Sequence, residues 1–249
     1  MEGPKILGNF QIGILGICIA VATIISSIIL SQGFLKVKKF TEEVIDVTGS
    51  AQKGITSDYV VWEGSFSVRE VSLPAAYKRL NEDLSKVKKY LLSKGVNEKE
   101  IIISQISTST IHKKNAEGKD TNEIEWYYLS QGVEFRSKDV ERVTEVSREI
   151  TELINEGVEF DSGAPKYFYT RLDDLKVEML ARASENAKLR AENMARATGN
   201  KVGLMRSARM GVFQITPINS TEVSNWGIND TGSLEKKVTA VVTVSFAIE

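Results

Sequence analysis

The chain has 249 residues, which suffices for one substantial domain or a small pair of domains with a buried core. Its 32 lysines and arginines nearly balance its 33 aspartates and glutamates, so charge offers no case for nucleic-acid binding, and no nucleic-acid-binding motif is found. The single cysteine, Cys18, excludes an intrachain disulfide, and with His112 as the only histidine we expect no zinc or other transition-metal site.

The first element is an uncharged apolar run at residues 12–30, IGILGICIAVATIISSIIL. As a helix, this run would be about 28 Å long, close to the thickness of the hydrocarbon core of a bilayer. It therefore predicts a single-pass transmembrane anchor that follows a short N-terminal tail, residues 1–11. The alternative is a signal peptide, uncleaved or cut near the small residues Ser31 and Gly33, for which the run is rather long.

Lysines on either side of this run bear on its orientation in the membrane. Lys5 precedes the run, whereas Lys36, Lys38 and Lys39 follow it. Because lysines close to a span favour the cytoplasmic side, this bias alone would place the rest of the chain in the cytoplasm.

Alternating apolar residues predict two strands after a short polar and basic linker at residues 31–43. The first strand covers residues 44–56 and contains a turn at Lys53–Gly54, and the second covers residues 59–70.

A helix and a long hairpin follow these strands. Ser72 is the expected N-cap of the helix, and Gly95 ends it. Strands over residues 100–112 and 123–136 are joined by a charged turn, so we expect a hairpin whose tip projects.

The longest helix signal comes next, after a shorter helix from Ser137 to Gly157 and a strand in two pieces. It covers residues 169–200 and ends at Gly199, which tolerates the left-handed conformation. The predicted buried face of this helix is mostly small and recurs at helical spacing: Leu175, Met179, Ala183, Ala187, Ala191 and Met194.

The end of the chain predicts strands over residues 202–215 and 238–248, separated by a polar loop at residues 216–234. The element order predicts an α+β fold over residues 44–249, with a largely antiparallel sheet and helices packed on one side. One N-terminal transmembrane helix precedes that domain.

We find no motif for catalysis or cofactor binding. The nucleophile elbow, the Walker A loop, the dinucleotide-binding glycine motif and the H-E-x-x-H metal motif are absent from the sequence. His112 is expected to be exposed beside a lysine-rich turn, and Asp173–Asp174 suit the first turn of a helix, where the dipole favours acidic residues. We therefore predict no catalytic residue, cofactor or metal; the alternative is a hydrolase with an unrecognised carboxylate site.

The polar loop and the long helix supply the candidate interface residues. Trp226 lies among small polar residues of the loop, which suits an interface anchor. Arg182, Arg190 and Arg196 on the long helix are candidate subunit contacts, with a merely solvated face as the alternative. Trp126-Tyr127-Tyr128 is either a ligand platform or a strand covered on both faces.

Several stretches of the chain resemble one known family, the SIMPL-domain proteins of the bacterial envelope. The resemblance covers nearly everything from residue 44 onward, and the order and spacing of the stretches make it specific. The stretches are VTGSA at 47–51 with Ser57-Asp58 after it, the helix-to-strand joint at 94–101, the segment 181–203 with its ATGNKVG, and VTAVVTVSF at 238–246.

The resemblance implies an α+β domain outside the cytoplasmic membrane without established catalytic residues. Some members of the family form large ring-like or channel-like homo-oligomers, and some are linked to tolerance of oxidative stress. We therefore interpret the chain as a single-pass, extracytoplasmic, self-assembling envelope protein with a role in stress tolerance. An extracytoplasmic binding module for a peptide, lipid or glycan is the alternative, and the flanking lysines conflict with the orientation that the family implies.

Overall fold

The structure is a computed structural model that describes residues 9–249, and residues 9–11 and 39–42 are described by their helical backbone alone. Residues 1–8, most of the predicted N-terminal tail, lie outside the described part. The described residues form an α+β fold with four α-helices and two mostly antiparallel sheets. The predicted fold class is therefore confirmed, with two sheets where the element order suggested one.

The first helix, α1, runs from Asn9 to Glu42 and contains the predicted anchor. Its segment Ile12–Lys38 has a mean hydropathy of 2.6, and none of it is buried. By length and composition it is able to cross a membrane once. The helix continues through most of the segment predicted as a linker, residues 31–43, because no residue after Gly33 breaks a helix and the lysines there favour one.

The chain divides into two compact units. Unit 1 combines Met1–Ala51, Leu180–Gly211 and Val241–Glu249, and unit 2 combines Gln52–Met179 and Val212–Ala240. Three elements contribute residues to both units: β1 (Val44–Thr56), α4 (Leu172–Ala197) and β11 (Glu235–Ile248).

Unit 2 is built around a six-stranded antiparallel sheet. Strand β2 (Tyr59–Glu70) lies at its centre and pairs with the long strand β5 (Asp120–Ser137). The short strands β3 (Ile101–Ile103) and β4 (Ser107–Lys114) pair with β5 on its other side, and β6 (Glu159–Ser162) and β7 (Lys166–Phe168) both pair with β2. The predicted hairpin is confirmed, although its first strand is split into β3 and β4.

Two helices pack on the core of unit 2. Helix α2 (Leu73–Ser93) begins at the predicted N-cap Ser72, whose side chain accepts a hydrogen bond from the backbone N–H of Ala75. Helix α3 (Val140–Glu149) continues as a 3₁₀ helix, Ile150–Glu156. The side chains that are completely enclosed include Trp62, Phe66, Leu80, Leu129 and Phe135.

The start of α3 differs from the prediction. Asp139 is its N-cap and accepts a hydrogen bond from the N–H of Arg142, whereas Ser137 accepts one from the N–H of Asp139. The prediction that Ser137 caps this helix is wrong because two capping residues lie within one turn and the later one meets the free N–H groups.

Unit 1 places part of α4 against a small sheet. Strand β8 (Val202–Met210) pairs antiparallel with β11, and β1 flanks β11 on the other side. Within this unit Ala183, Ala187 and Ala191 of α4 are completely buried. Gly49 of β1 lies so close to the helix that a Cβ there would be 2.7 Å from the Cβ of Ala187 and closer still to the Ala183 carbonyl oxygen.

The buried face of α4 is confirmed except at its last position. The prediction placed Met194 on this face, but Met194 is 53% exposed and Ala195 is buried instead. The buried residues keep a spacing of four along the helix, and after Ala191 that spacing selects Ala195. Gly199 ends the helix with φ of +80°, as predicted.

Two further predictions about strands are wrong. Strand β1 has no turn at Lys53–Gly54; the Lys53 side chain instead binds Glu178 at 2.9 Å, which favours a continuous strand. The strand predicted at residues 202–215 is two strands, β8 and β9 (Gln214–Pro217). Strand β9 pairs with β11 in unit 2, and the two-residue strand β10 (Ile228–Asn229) pairs with β9.

Candidate functional site

The described residues provide no group of three or more His, Cys, Asp or Glu side chains that could hold a metal ion. One surface depression of about 470 Å³ in unit 1 is lined by Glu192, Arg196 and Lys201.

His112 is half-buried, so the prediction that it is exposed is wrong. Its Nε2 lies 3.3 Å from the hydroxyl of Thr110. This partner does not activate an imidazole as a general base.

Two acidic residues of the helices have structural partners. Asp83 in α2 is buried and lies 3.3 Å from Lys86 and 3.7 Å from Arg79, which neutralise its charge. Asp173 occupies the first turn of α4 and pairs with Lys176 at 3.2 Å. Neither arrangement has the convergent carboxylates that a hydrolase would need.

Asp58 anchors the segment that leads into α4. Its carboxylate accepts hydrogen bonds from the N–H of Thr170 at 2.7 Å and from the hydroxyl of Thr170 at 2.8 Å. Its own N–H donates to the carbonyl of Phe168 at 3.0 Å. The sequence around Asp58 does not indicate this role, because the partner lies 112 positions away.

We predict that Asp58→Ala lowers the free energy of unfolding by about 2 kcal/mol, because two hydrogen bonds to a charged acceptor are lost. Asp58→Asn keeps one acceptor oxygen and should lose less. Thermal unfolding of the full chain in detergent, followed by far-UV circular dichroism, measures both. The exposed Asp161→Ala is the control and should stay within about 0.5 kcal/mol of the wild type; equal losses for Asp58→Ala and Asp161→Ala would refute the anchoring role.

A buried lysine fixes one end of the polar loop. The amine of Lys236 donates to the carbonyl of Tyr167 and to the carbonyl of Asp230, both at 2.6 Å. Lys236 is 3% exposed, and this burial lowers the pKa of its amine. The loop is thereby tied to β7 within unit 2.

Trp226 is held outward by the hydrogen bonds of its own loop. The side-chain amide of Gln214 donates to the Ser224 carbonyl at 2.7 Å and accepts from the Ser224 N–H at 3.3 Å. The backbone N–H of Trp226 donates to the Ser224 hydroxyl at 3.2 Å. The indole is 93% exposed, and Val223 beside it is also exposed. Trp226 is therefore presented to solvent by an ordered loop.

The three candidate arginines of α4 belong to unit 1 and lie in different settings. Arg190 donates to the Thr48 carbonyl of β1 at 3.0 Å, so this side chain has a role within its own unit. Arg196 lines the depression described above, and Arg182 lies on an exposed turn of the helix. Their use as subunit contacts stays a prediction.

The tip of the β4–β5 hairpin forms an arm, defined here as residues 110–126. Strand β2 pairs with β5 only as far as Tyr127, opposite Glu70. Beyond that point, within the described part of the chain, β4 and β5 pair only with each other. Residues of the arm are exposed or half-buried on both faces, with Trp126 38% and Ile124 42% exposed.

The arm is nevertheless well defined. At its turn the side chain of Asn115 accepts hydrogen bonds from the N–H groups of Glu117 and Lys119, both at 3.0 Å. Across its strands Lys113 binds Glu123 at 3.0 Å, and this hydrogen bond raises the pKa of the Lys113 amine. The sequence predicted the projection of this hairpin, but the end of β2 opposite Tyr127 is visible only in the structure.

Comparison with known proteins yields one family. A family model described as SIMPL, protein of unknown function (DUF541), matches residues 45–246. No curated protein matches the chain. The matched segment contains both Gly49 and Asp58, as well as the arm.

Proposed function

The chain belongs to the SIMPL family, and from that premise we propose that it is a membrane-anchored, non-catalytic protein that assembles with further copies of itself outside the cytoplasm. The anchor is α1, whose exposed apolar segment Ile12–Lys38 suits a bilayer and no aqueous surface. The extracytoplasmic side and a role in stress tolerance follow the family resemblance. The extracytoplasmic side is tested separately from assembly.

The observation that carries the assembly proposal is the arm. A two-stranded hairpin without a third strand or a packed helix is marginally stable in water. Here such a ribbon extends on the order of 20 Å beyond β2, with unpaired backbone groups on both edges and apolar side chains such as Trp126 and Ile124 partly exposed. Docking on another chain would cover these side chains and pair the open edges.

The absolute mass of the full chain in detergent tests the assembly proposal. Light scattering with subtraction of the detergent contribution should give a discrete multiple of 27.6 kDa. The multiple should persist on tenfold dilution if the assembly is specific. A mass of one chain at all accessible concentrations would contradict self-assembly and leave the anchor proposal intact.

Orientation is a separate question, because the lysines after the span favour the cytoplasm for the domain. We expect a reporter fused after Glu249 to be active when it requires export and inactive when it requires the cytoplasm. The reverse pattern would place the domain in the cytoplasm and refute the extracytoplasmic proposal.

The second candidate function is a binding module, and the exposure of Trp226 favours it. An indole that is 93% exposed on a hydrogen-bonded loop is available to a peptide, lipid or glycan without prior rearrangement. Ligand screening by thermal shift, with Trp226→Ala as the matched variant, tests this function. Stabilisation that Trp226→Ala abolishes would support it, and a shift unchanged by the variant would refute a role for this residue.

A further inference from the structure

The two strands of the arm carry opposite charges. Strand β4 contributes Lys113 and Lys114 and no acidic residue, and the arm segment of β5 contributes Asp120, Glu123 and Glu125 and no basic residue. All five of these side chains are exposed. One open edge of the arm therefore carries only basic charges and the other only acidic charges, and Lys113 and Glu123 pair with each other across the arm.

Charge restricts how two arms can pair. Side chains opposite each other on neighbouring strands are in contact, and like charges there are destabilising. Two copies joined through β4 would bring together two edges whose charged residues are all lysines, and two copies joined through β5 would bring together two edges whose charged residues are all carboxylates. Only the β4 edge of one copy against the β5 edge of another brings opposite charges together.

The backbone is compatible with the same arrangement. Strands β4 and β5 are antiparallel, so a neighbouring β4 laid beside β5 continues the antiparallel alternation. Each copy then uses one edge of its arm to bind the preceding copy and the other edge to bind the next. Such a contact is heterologous, because it joins two different edges of the arm. All edges are paired only when the series of copies closes into a ring.

We propose that the arm docks on the arm of a second copy of this chain, with β4 of one copy paired to β5 of the next in a head-to-tail series. This inference rests on the proposed function, since it names the surface through which the copies assemble. The neighbouring β4 would lie beside Trp126 and Ile124 and cover part of these side chains, which are 38% and 42% exposed in the single chain.

The test uses two full-length charge-reversed variants in detergent. Lys113→Glu/Lys114→Glu makes both edges of the arm acidic, and Glu123→Lys/Glu125→Lys makes both edges basic. We expect each variant alone to have the mass of one chain, 27.6 kDa, and an equimolar mixture of the two to recover the wild-type multiple. Lys78→Glu/Lys89→Glu, on exposed positions of α2, is the control with equal charge change and should assemble like the wild type.

Far-UV circular dichroism and the unfolding temperature confirm that each variant is folded, and hydrogen exchange at the backbone amides of residues 110–126 confirms that its arm is intact without the Lys113–Glu123 pair. If each variant alone keeps the wild-type multiple, the arm is not the interface, and the inference is overturned while self-assembly stands. If both dissociate and the mixture stays monomeric, head-to-tail pairing is overturned. If the wild type is itself a single chain, the self-assembly in the proposed function and this inference are both overturned, and the anchor proposal stands.

Discussion

Gly49→Ala is expected to lower the free energy of unfolding by about 3 kcal/mol, at the upper end of the cost of overpacking. A Cβ at this position would lie 2.7 Å from the Cβ of Ala187, and closer still to the carbonyl oxygen of Ala183 and the backbone nitrogen of Ala187. Two of these three atoms belong to the helix backbone, so no side-chain rotation relieves the overlap. The unfolding temperature should fall by roughly 10 °C.

A matched pair of variants separates this mechanism from a general loss of glycine flexibility. At Gly232 an added Cβ meets only the Asp230 carboxylate oxygen, at 3.6 Å, so Gly232→Ala should change stability by less than about 0.5 kcal/mol. Ala187→Gly should not rescue Gly49→Ala, because the backbone contacts persist. A rescue, or an unchanged unfolding temperature for Gly49→Ala, would refute the close approach of β1 and α4 in unit 1.

Trp62→Ala is expected to cost about 4 kcal/mol, because it empties the centre of the core of unit 2. The indole is completely buried, its ring centroid lies 5.2 Å from that of Phe135, and it stacks at 6.1 Å on Phe160. Its Nε1 also donates to the Ser162 hydroxyl at 3.2 Å. Trp62→Phe keeps most of the packing and should lose about 1 to 2 kcal/mol.

The other tryptophans are the controls for this prediction. Trp126 is partly exposed and Trp226 almost fully exposed, so alanine at either position should change stability by less than about 1 kcal/mol. Their losses should instead appear in assembly for Trp126 and in ligand binding for Trp226. A loss of stability at Trp226 equal to that at Trp62 would contradict the burial that distinguishes them.

Periodic features of the fold were predictable, whereas contacts between distant residues were not. The alanine face of α4, its end at Gly199 and the β4–β5 hairpin follow from spacing and turn residues that lie close together in the sequence. Only Met194 was misplaced on that face, since spacings of three and four both fit a helix and packing selected Ala195.

The roles of Asp58, Gln214 and Lys236 could not be predicted because their partners come from other elements. Lys236 binds a carbonyl 69 residues away, and nothing in the pattern around it distinguishes it from a solvated lysine. The same limit applies to Arg190: an exposed helix position suggested a subunit contact, and the structure places its guanidinium on the Thr48 carbonyl. For assembly, the arm is therefore the stronger candidate than the arginines.

Cross-linking in intact membranes tests most directly whether this anchored chain assembles head to tail through its arm. In a Cys18→Ser background, His112→Cys marks β4 in one version of the chain and Ile124→Cys marks β5 in another, at positions that lie opposite each other in the register of the arm. Under copper–phenanthroline oxidation, which joins cysteines whose Cα atoms lie within about 7 Å, we predict disulfide-linked dimers when the two versions are expressed together and none when either is expressed alone. Identical positions in neighbouring copies are two strand spacings, about 10 Å, apart and are therefore out of reach. Dimers from a single version, or none from the pair while the wild type is multimeric, would contradict head-to-tail assembly.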